Sequence, residues 1–167
     1  MKKFSVLLGI VLLLIWGGVR VVSYIQFDRN CEGYLKRAAD ANNITLARGE
    51  LAKALKYMES HELTNGYTSI LYTTPDEDVE FWYINIKSAY EQLLKLDPEA
   101  VSDLEESNIL MKLRETLCDN GKDGSSITVP SGISIYPYNV LWCVMAFGGL
   151  LFMLLGIGWK EFFDIIL

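Results

Sequence analysis

Two uncharged apolar runs, one at each end of the chain, limit what this sequence can fold into more than any other feature. Phe4 to Val19 carries no charge, and after Arg20 the run resumes from Val21 to Phe27. Val140 to Trp159 is a second uncharged run, twenty residues long. A helix needs roughly 20 apolar residues to cross a hydrocarbon layer ~30 Å thick. Both runs meet that requirement and no third one does. The expected fold is mainly α, with two transmembrane helices flanking an extracytoplasmic up-down-up-down helical bundle. Residues 1–27 form the first anchor, whose helix can continue into the domain. Residues 28–118 form the bundle, 119–138 a Gly/Ser/Pro linker with a small hairpin, 139–159 the second span, and 160–167 a short cytoplasmic tail.

The first run competes with a secretory signal. Signal h-regions are about 7–15 residues long and end in small residues of A-x-A type. This run continues through "WGGVRVVSYIQF", which offers no such site, and reads as an uncleaved anchor. Arg20 lies close enough to the end of the run for its guanidinium to snorkel to the interface. Lys2, Lys3 and the amino terminus favour a cytoplasmic start, and Lys160 favours a cytoplasmic end. Arg29, Lys36 and Arg37 weaken that bias, but long loops cross largely regardless of charge. The expected location is the plasma membrane, a bacterial inner membrane, with residues 28–138 outside.

Those residues carry nineteen Asp/Glu against eleven Lys/Arg, a net charge of −8. Such an acidic balance argues against nucleic acid as a partner. The expected partners are the lipid bilayer and either a membrane protein or a second copy.

Along the middle of the chain, apolar spacing predicts four helices. Phe27, Cys31, Tyr34 or Leu35, and Ala38 extend the first beyond the membrane. A second fits Leu46 to His61, with Thr45 as N-cap and Leu51, Ala54, Leu55 and Met58 as its stripe. "TTPDEDVEFWY", residues 73–83, starts the third. Thr74, Pro75 and Glu77 read as a capping box with proline at the first helical position. Val79, Trp82, Ile86, Ala89, Tyr90 and Leu93 line one face of that helix, which runs to about Leu96. Asp97 and Pro98 read as the cap and first residue of a fourth, carried by Val101, Leu104, Met111, Leu113 and Leu117. "SITVPSGISIY" suggests a hairpin bending at Pro130-Ser131-Gly132. Tyr136, Tyr138 and Trp142 then mark the membrane interface.

Cys31 begins the first domain helix and Cys118 ends the fourth, so an alternating bundle puts both near its base. A disulfide there would close a long loop and require an oxidising compartment; the alternative is two free thiols. Cys143 reads as an ordinary apolar residue of the second span.

The acidic stretch at 76–80 invites a calcium reading, but a calcium loop needs about twelve residues, a central glycine and a terminal bidentate Glu. Helix initiation explains the carboxylates better. Phe81, Trp82 and Tyr83 are consecutive on a helix and point about 100° apart, so they cannot all face one seam. Either the 64–73 loop covers the odd one, or it joins Tyr67 and Tyr72 in a docking surface. His61 is the only histidine, too few for a usual metal set or a nucleophile–base pair. No catalytic, cofactor or metal residues are assigned. In the spans, Ser5, Gly9 and Gly17 share one face and Gly148 and Gly156 another, where small residues would let helices approach closely.

"SAYEQLLKLDPEA" resembles the second helix of a tetratricopeptide repeat at Tyr90, Leu93 and Pro98. The partner helix such a repeat requires is replaced upstream by "GYTSILYTTP", so the phrase reads as a helix–Asp-Pro–helix corner. The two-span layout is similar to the sensor domains of bacterial chemoreceptors, by architecture alone. The expected function is therefore non-enzymatic: an accessory or scaffold subunit of a membrane assembly. A ligand-sensing bundle that signals through a partner is the alternative, and a carboxylate-dependent enzyme the remote one.

Overall fold

A computed structural model describes residues 2–121 and 124–157. It is mainly helical, with a small two-stranded antiparallel sheet. The helices are α1 (Lys2–Phe27), α2 (Gly33–Ala39), α3 (Ile44–Ser60), α4 (Val79–Leu94), α5 (Asp103–Leu117) and α6 (Asn139–Ile157). The strands are β1 (Cys118–Gly121) and β2 (Gly124–Ile127). The chain divides into two compact units, one comprising Ile25–Pro137 and the other the terminal segments up to Tyr24 and from Tyr138.

In the terminal unit, α1 and α6 are each long and apolar enough to cross a membrane. They run antiparallel and touch through backbone. A Cβ added at Gly9 would lie 2.7 Å from the Gly149 carbonyl oxygen and 2.9 Å from the Met153 nitrogen. One added at Gly149 would meet the Leu13 side chain, and one at Gly156 the backbone of Lys2 and Val6. Of the small residues expected at a helix contact, Gly9 lies against Gly149 and Met153, and Gly156 against Lys2 and Val6. Gly17 and Gly148 have open space around them, and Gly149 takes the place assigned to Gly148. Ser5, on the same helix as Gly9, is half-buried. The outward faces are bare hydrocarbon: Phe4, Leu14, Val144 and Phe147 are all exposed.

In the larger unit, the helix of α1 passes through a π-turn, Asp28–Glu32, into α2. Phe27, Cys31, Leu35 and Ala38 are all buried. Two successive spacings of four exceed the 3.6 residues of an α-turn, and the wider π-turn keeps these residues on one face. α2 packs on α3, α3 on α4, α4 on α5, and α5 back on α2. Leu51, Ala54, Leu55 and Met58 of α3 meet Val79, Trp82, Ile86 and Leu93 of α4 in one core.

Several helix boundaries differ from the sequence expectation. Asn43, not Thr45, caps α3, its side chain accepting from the Leu46 N–H at 2.8 Å. Thr74 opens a 3₁₀ turn, Pro75–Glu77, and donates to Glu77 Oε2 at 2.7 Å. The cap of α4 itself is Asp78, which accepts from the Phe81 N–H at 2.9 Å. Asp97 and Pro98 form a turn closed by the Ala100 N–H to the Asp97 carbonyl, 3.1 Å. α5 begins only after Ser102, whose hydroxyl accepts from the Glu105 N–H. Its buried stripe uses Leu113 and Leu117, while Leu104 and Met111 are exposed.

The hairpin also lies earlier than expected. Its strands pair Cys118 with Ile127 through Gly121 with Gly124, so "CDNG" and "GSSI" are the arms; the connection at 122–123 lies outside the described residues. Pro130-Ser131-Gly132 does turn, closed by the Ile133 N–H to the Pro130 carbonyl at 3.2 Å. Gly132 has φ 75 there, the left-handed backbone that a type II turn requires. The chain then enters a 3₁₀ turn, Ile133–Ile135, whose isoleucines are buried instead of paired. The tail at 160–167, with Lys160, lies outside the described residues.

Candidate interaction surface

The consecutive aromatics of α4 are separated by function. Trp82 is buried, and its indole Nε1 donates to the Thr128 carbonyl at 2.9 Å, tying the segment just after β2 onto α4. Tyr83 is buried on the α3 side, and its hydroxyl donates to Glu59 Oε1 at 2.7 Å. Burial, and then that carboxylate, push the Tyr83 pKa upward. Phe81 is the odd one out, 69% exposed, and Ile84 beside it is 53% exposed. The 64–73 loop does not cover it. Of the expected docking residues, Trp82 and Tyr83 are therefore core, while Phe81, Tyr67 and Tyr72 stay open.

Phe81 borders a cavity of about 640 Å³ between the start of α4 and the hairpin. Trp82, Ile127 and Val129 supply apolar walls, and Asp76, Asp78 and Asp119 bring carboxylates. A second cavity, about 520 Å³, runs between α4 and α5. Asn85 and Thr116 line both. The two cavities thus lie side by side along α4.

Tyr67 and Tyr72 belong to a different feature. The chain leaves α3 through Glu62, makes an excursion from Leu63 to Pro75, and returns at α4. Its neck is held by the Val79 N–H to the Gly66 carbonyl at 2.9 Å and the Thr68 N–H to the Glu77 carbonyl at 3.1 Å. Gly66 has φ 86, and the Tyr136 hydroxyl lies so close that a Cβ there would collide with it. Leu71, at the tip, is 94% exposed.

The expected Cys31–Cys118 bond is not formed; both are free thiols, as is Cys143. Cys31 has no exposed surface. It sits in the π-turn, which packs on α3, and its neighbour there is Tyr57. Cys118 begins β1, where its backbone pairs with Ile127. His61 stacks on Tyr57, with ring centroids 3.9 Å apart. Among the described residues no group of three His, Cys, Asp or Glu is placed to hold a metal ion.

Sequence reasoning did not single out Arg48, Glu50 or Glu106. Arg48 Nε donates to the Leu93 carbonyl at 2.7 Å and its Nη2 donates to the Leu96 carbonyl, closing the end of α4 from α3. Glu106 of α5 accepts from the Ile44 N–H at 2.9 Å, closing the start of α3. Buried Glu50 accepts from Lys53 at 2.8 Å and Arg37 at 3.1 Å. Long polar side chains at helix ends carry no local signature that tells which neighbouring helix they reach.

Comparison with protein families, curated proteins and solved structures finds no match.

Proposed function

We propose that this chain is a non-enzymatic integral membrane protein that displays an acidic helical bundle outside the cytoplasm, as an accessory or scaffold subunit of a membrane assembly. The observation that carries the reading is the α1–α6 pair. Its helices meet at glycine backbone and turn phenylalanine, leucine and valine outward. Water penalises such a surface by about 25 cal/mol per Å², whereas acyl chains match it.

Lys2 and Lys3 favour a cytoplasmic amino terminus, and two crossings return the C-terminus to the same side. The alternating course of the bundle is supported by its hydrogen bonds. Arg48, near the start of α3, reaches the end of α4; Tyr83, near the start of α4, reaches Glu59 near the end of α3. Glu106, early in α5, reaches the start of α3, while Thr128, bonded to Leu117 at the end of α5, accepts from Trp82, early in α4. Two open features suit a partner. One is the cavity beside Phe81 and Ile84 with its Asp76, Asp78 and Asp119 carboxylates, which fits an apolar anchor flanked by basic residues. The other is the free space at Gly17, Gly18 and Gly148, which fits another membrane helix.

The test is purification from its native membrane in mild detergent after crosslinking through a photoreactive residue at Ile84, exposed beside Phe81. The reading expects a discrete crosslinked product, to another protein or to a second copy, lost in Phe81→Glu. A strictly solitary monomer contradicts it. A ligand-sensing role is favoured by one observation, the cavity between α4 and α5, whose size suits a small molecule. A thermal-shift screen distinguishes the two, since only a sensor gains stability from a small molecule with no partner present.

A further inference from the structure

We propose that the loop between α3 and α4 is a second membrane contact, its tip resting in the lipid interface beneath the domain; this rests on the reading that α1 and α6 span the bilayer. From Leu63 to Pro75 the loop has no charged residue, within a domain otherwise rich in carboxylates. Its tip is Ile70, Leu71 and Tyr72, with Leu71 and Tyr72 among the most exposed large side chains. The backbone bonds from Val79 to Gly66 and from Thr68 to Glu77 fix the neck, so the tip is held out by a built structure.

The position of the neck selects lipid as the occupant. The Tyr136 hydroxyl donates to the Asn65 carbonyl at 2.6 Å, and Tyr136 stands three residues before Asn139, where α6 begins. A chain advances at most ~3.6 Å per residue, so the neck cannot be far from that crossing. The domain's other chain end is bordered in the same way. Gln26, in the last turn of α1, and Asn30 line one cleft with Ser60 and His61 at the end of α3. The Phe27 ring lies 6.3 Å from that of Tyr57 and 6.4 Å from that of Trp82. The end of α3 and the start of α4 therefore pack beside Gln26, Phe27 and Tyr136, the domain residues next along the chain to the two apolar helices, and the loop joins those two ends. Aliphatic side chains beside tyrosine, without charge, are the composition that settles at the boundary between headgroups and acyl chains.

The test uses the full chain reconstituted in lipid vesicles with no other protein. Cys118 and Cys143 are replaced by alanine, and Cys31, which has no exposed surface, is left in place. An environment-sensitive fluorophore is attached at Leu71→Cys, and in a separate sample at Val144→Cys on the outward face of α6. Lipids carry quenchers at a shallow or a deep position. The expected result is blue-shifted emission at position 71, lost with shallow quenchers, and emission at 144 lost with deep ones. Water-like, unquenched emission at 71 with quenching at 144 overturns the loop proposal and leaves the spans standing. A blue shift at 71 that no lipid quencher touches assigns the tip to a second copy and also overturns it. No quenching at 144 removes the spanning reading, and this proposal with it.

Discussion

Glu62 occupies a position that its side chain does not favour. It has φ 59, in the left-handed region, directly after the last turn of α3. The Leu63 N–H reaches back to the Met58 carbonyl at 2.8 Å and the Glu62 N–H to the Glu59 carbonyl, the Schellman pattern. Glycine suits that site because it has no Cβ to clash. Glu62→Gly is expected to raise stability by about 1 kcal/mol, read as a higher chemical-denaturation midpoint; an unchanged or lower midpoint contradicts the assigned cap. Tyr83 supports a second expectation at this scale. Its pKa is raised in the fold, by burial first and then by Glu59, with Lys87 opposing. A raised folded pKa means the protonated phenol is favoured by folding. Its contribution is fully present below the unfolded value of about 10 and is lost as pH rises through the folded one. Between about pH 9 and 11 the wild-type midpoint should therefore fall more steeply than that of Tyr83→Phe. Parallel curves would show that the phenol does not titrate differently in the fold.

At the scale of elements, the α1–α6 contact gives a sharp comparison. A Cβ at Gly156 already collides with the Lys2 and Val6 backbone, whereas a Cβ at Gly17 meets nothing within 4 Å. Gly156→Leu should lower the unfolding midpoint in detergent by the equivalent of about 1–3 kcal/mol, and Gly17→Leu should leave it near wild type; equal effects contradict the pairing. The existence of each long helix was legible in the sequence, because apolar periodicity over fifteen or more positions reflects the burial that makes the helix stable. The starts of helices were less so. Ser, Thr, Asp and Asn crowd the 40–45, 73–78 and 97–103 stretches, and the winning cap depends on which one the tertiary fold leaves extended. The hairpin was misplaced for a related reason. β-branched "SITV" and "GISIY" have strand propensity, but Ile133 and Ile135 serve as buried plugs. The ladder falls instead on "CDNG" and "GSSI", continued by the Thr128 N–H to the Leu117 carbonyl; packing overrides strand propensity here. The choice of Gly149 over Gly148 was within reach of helix arithmetic. Counted from Gly156, seven residues return to within about 20° of the same face and eight miss it by about 80°.

The interaction surface was legible only as a set of residue types. Consecutive aromatics at 81–83 announced that one must be left outside the seam, and Phe81 is that one. Which residue would face out, and that Tyr72 would stand on a separate projecting loop, depends on contacts such as Tyr136 with Asn65 that are 71 positions apart in the chain. At the scale of the whole molecule, the account depends on both apolar helices crossing one bilayer with the 28–138 domain on the outer side. Labelling of intact cells with a membrane-impermeant maleimide tests this most directly. Single cysteines are placed at Glu99, an exposed position between α4 and α5, and at Leu167, the last residue, with Cys118 and Cys143 replaced by alanine. The account predicts that Glu99→Cys is labelled in intact cells and Leu167→Cys only after the membrane is opened. Labelling of Glu99→Cys only after opening, or of both positions in intact cells, would contradict it.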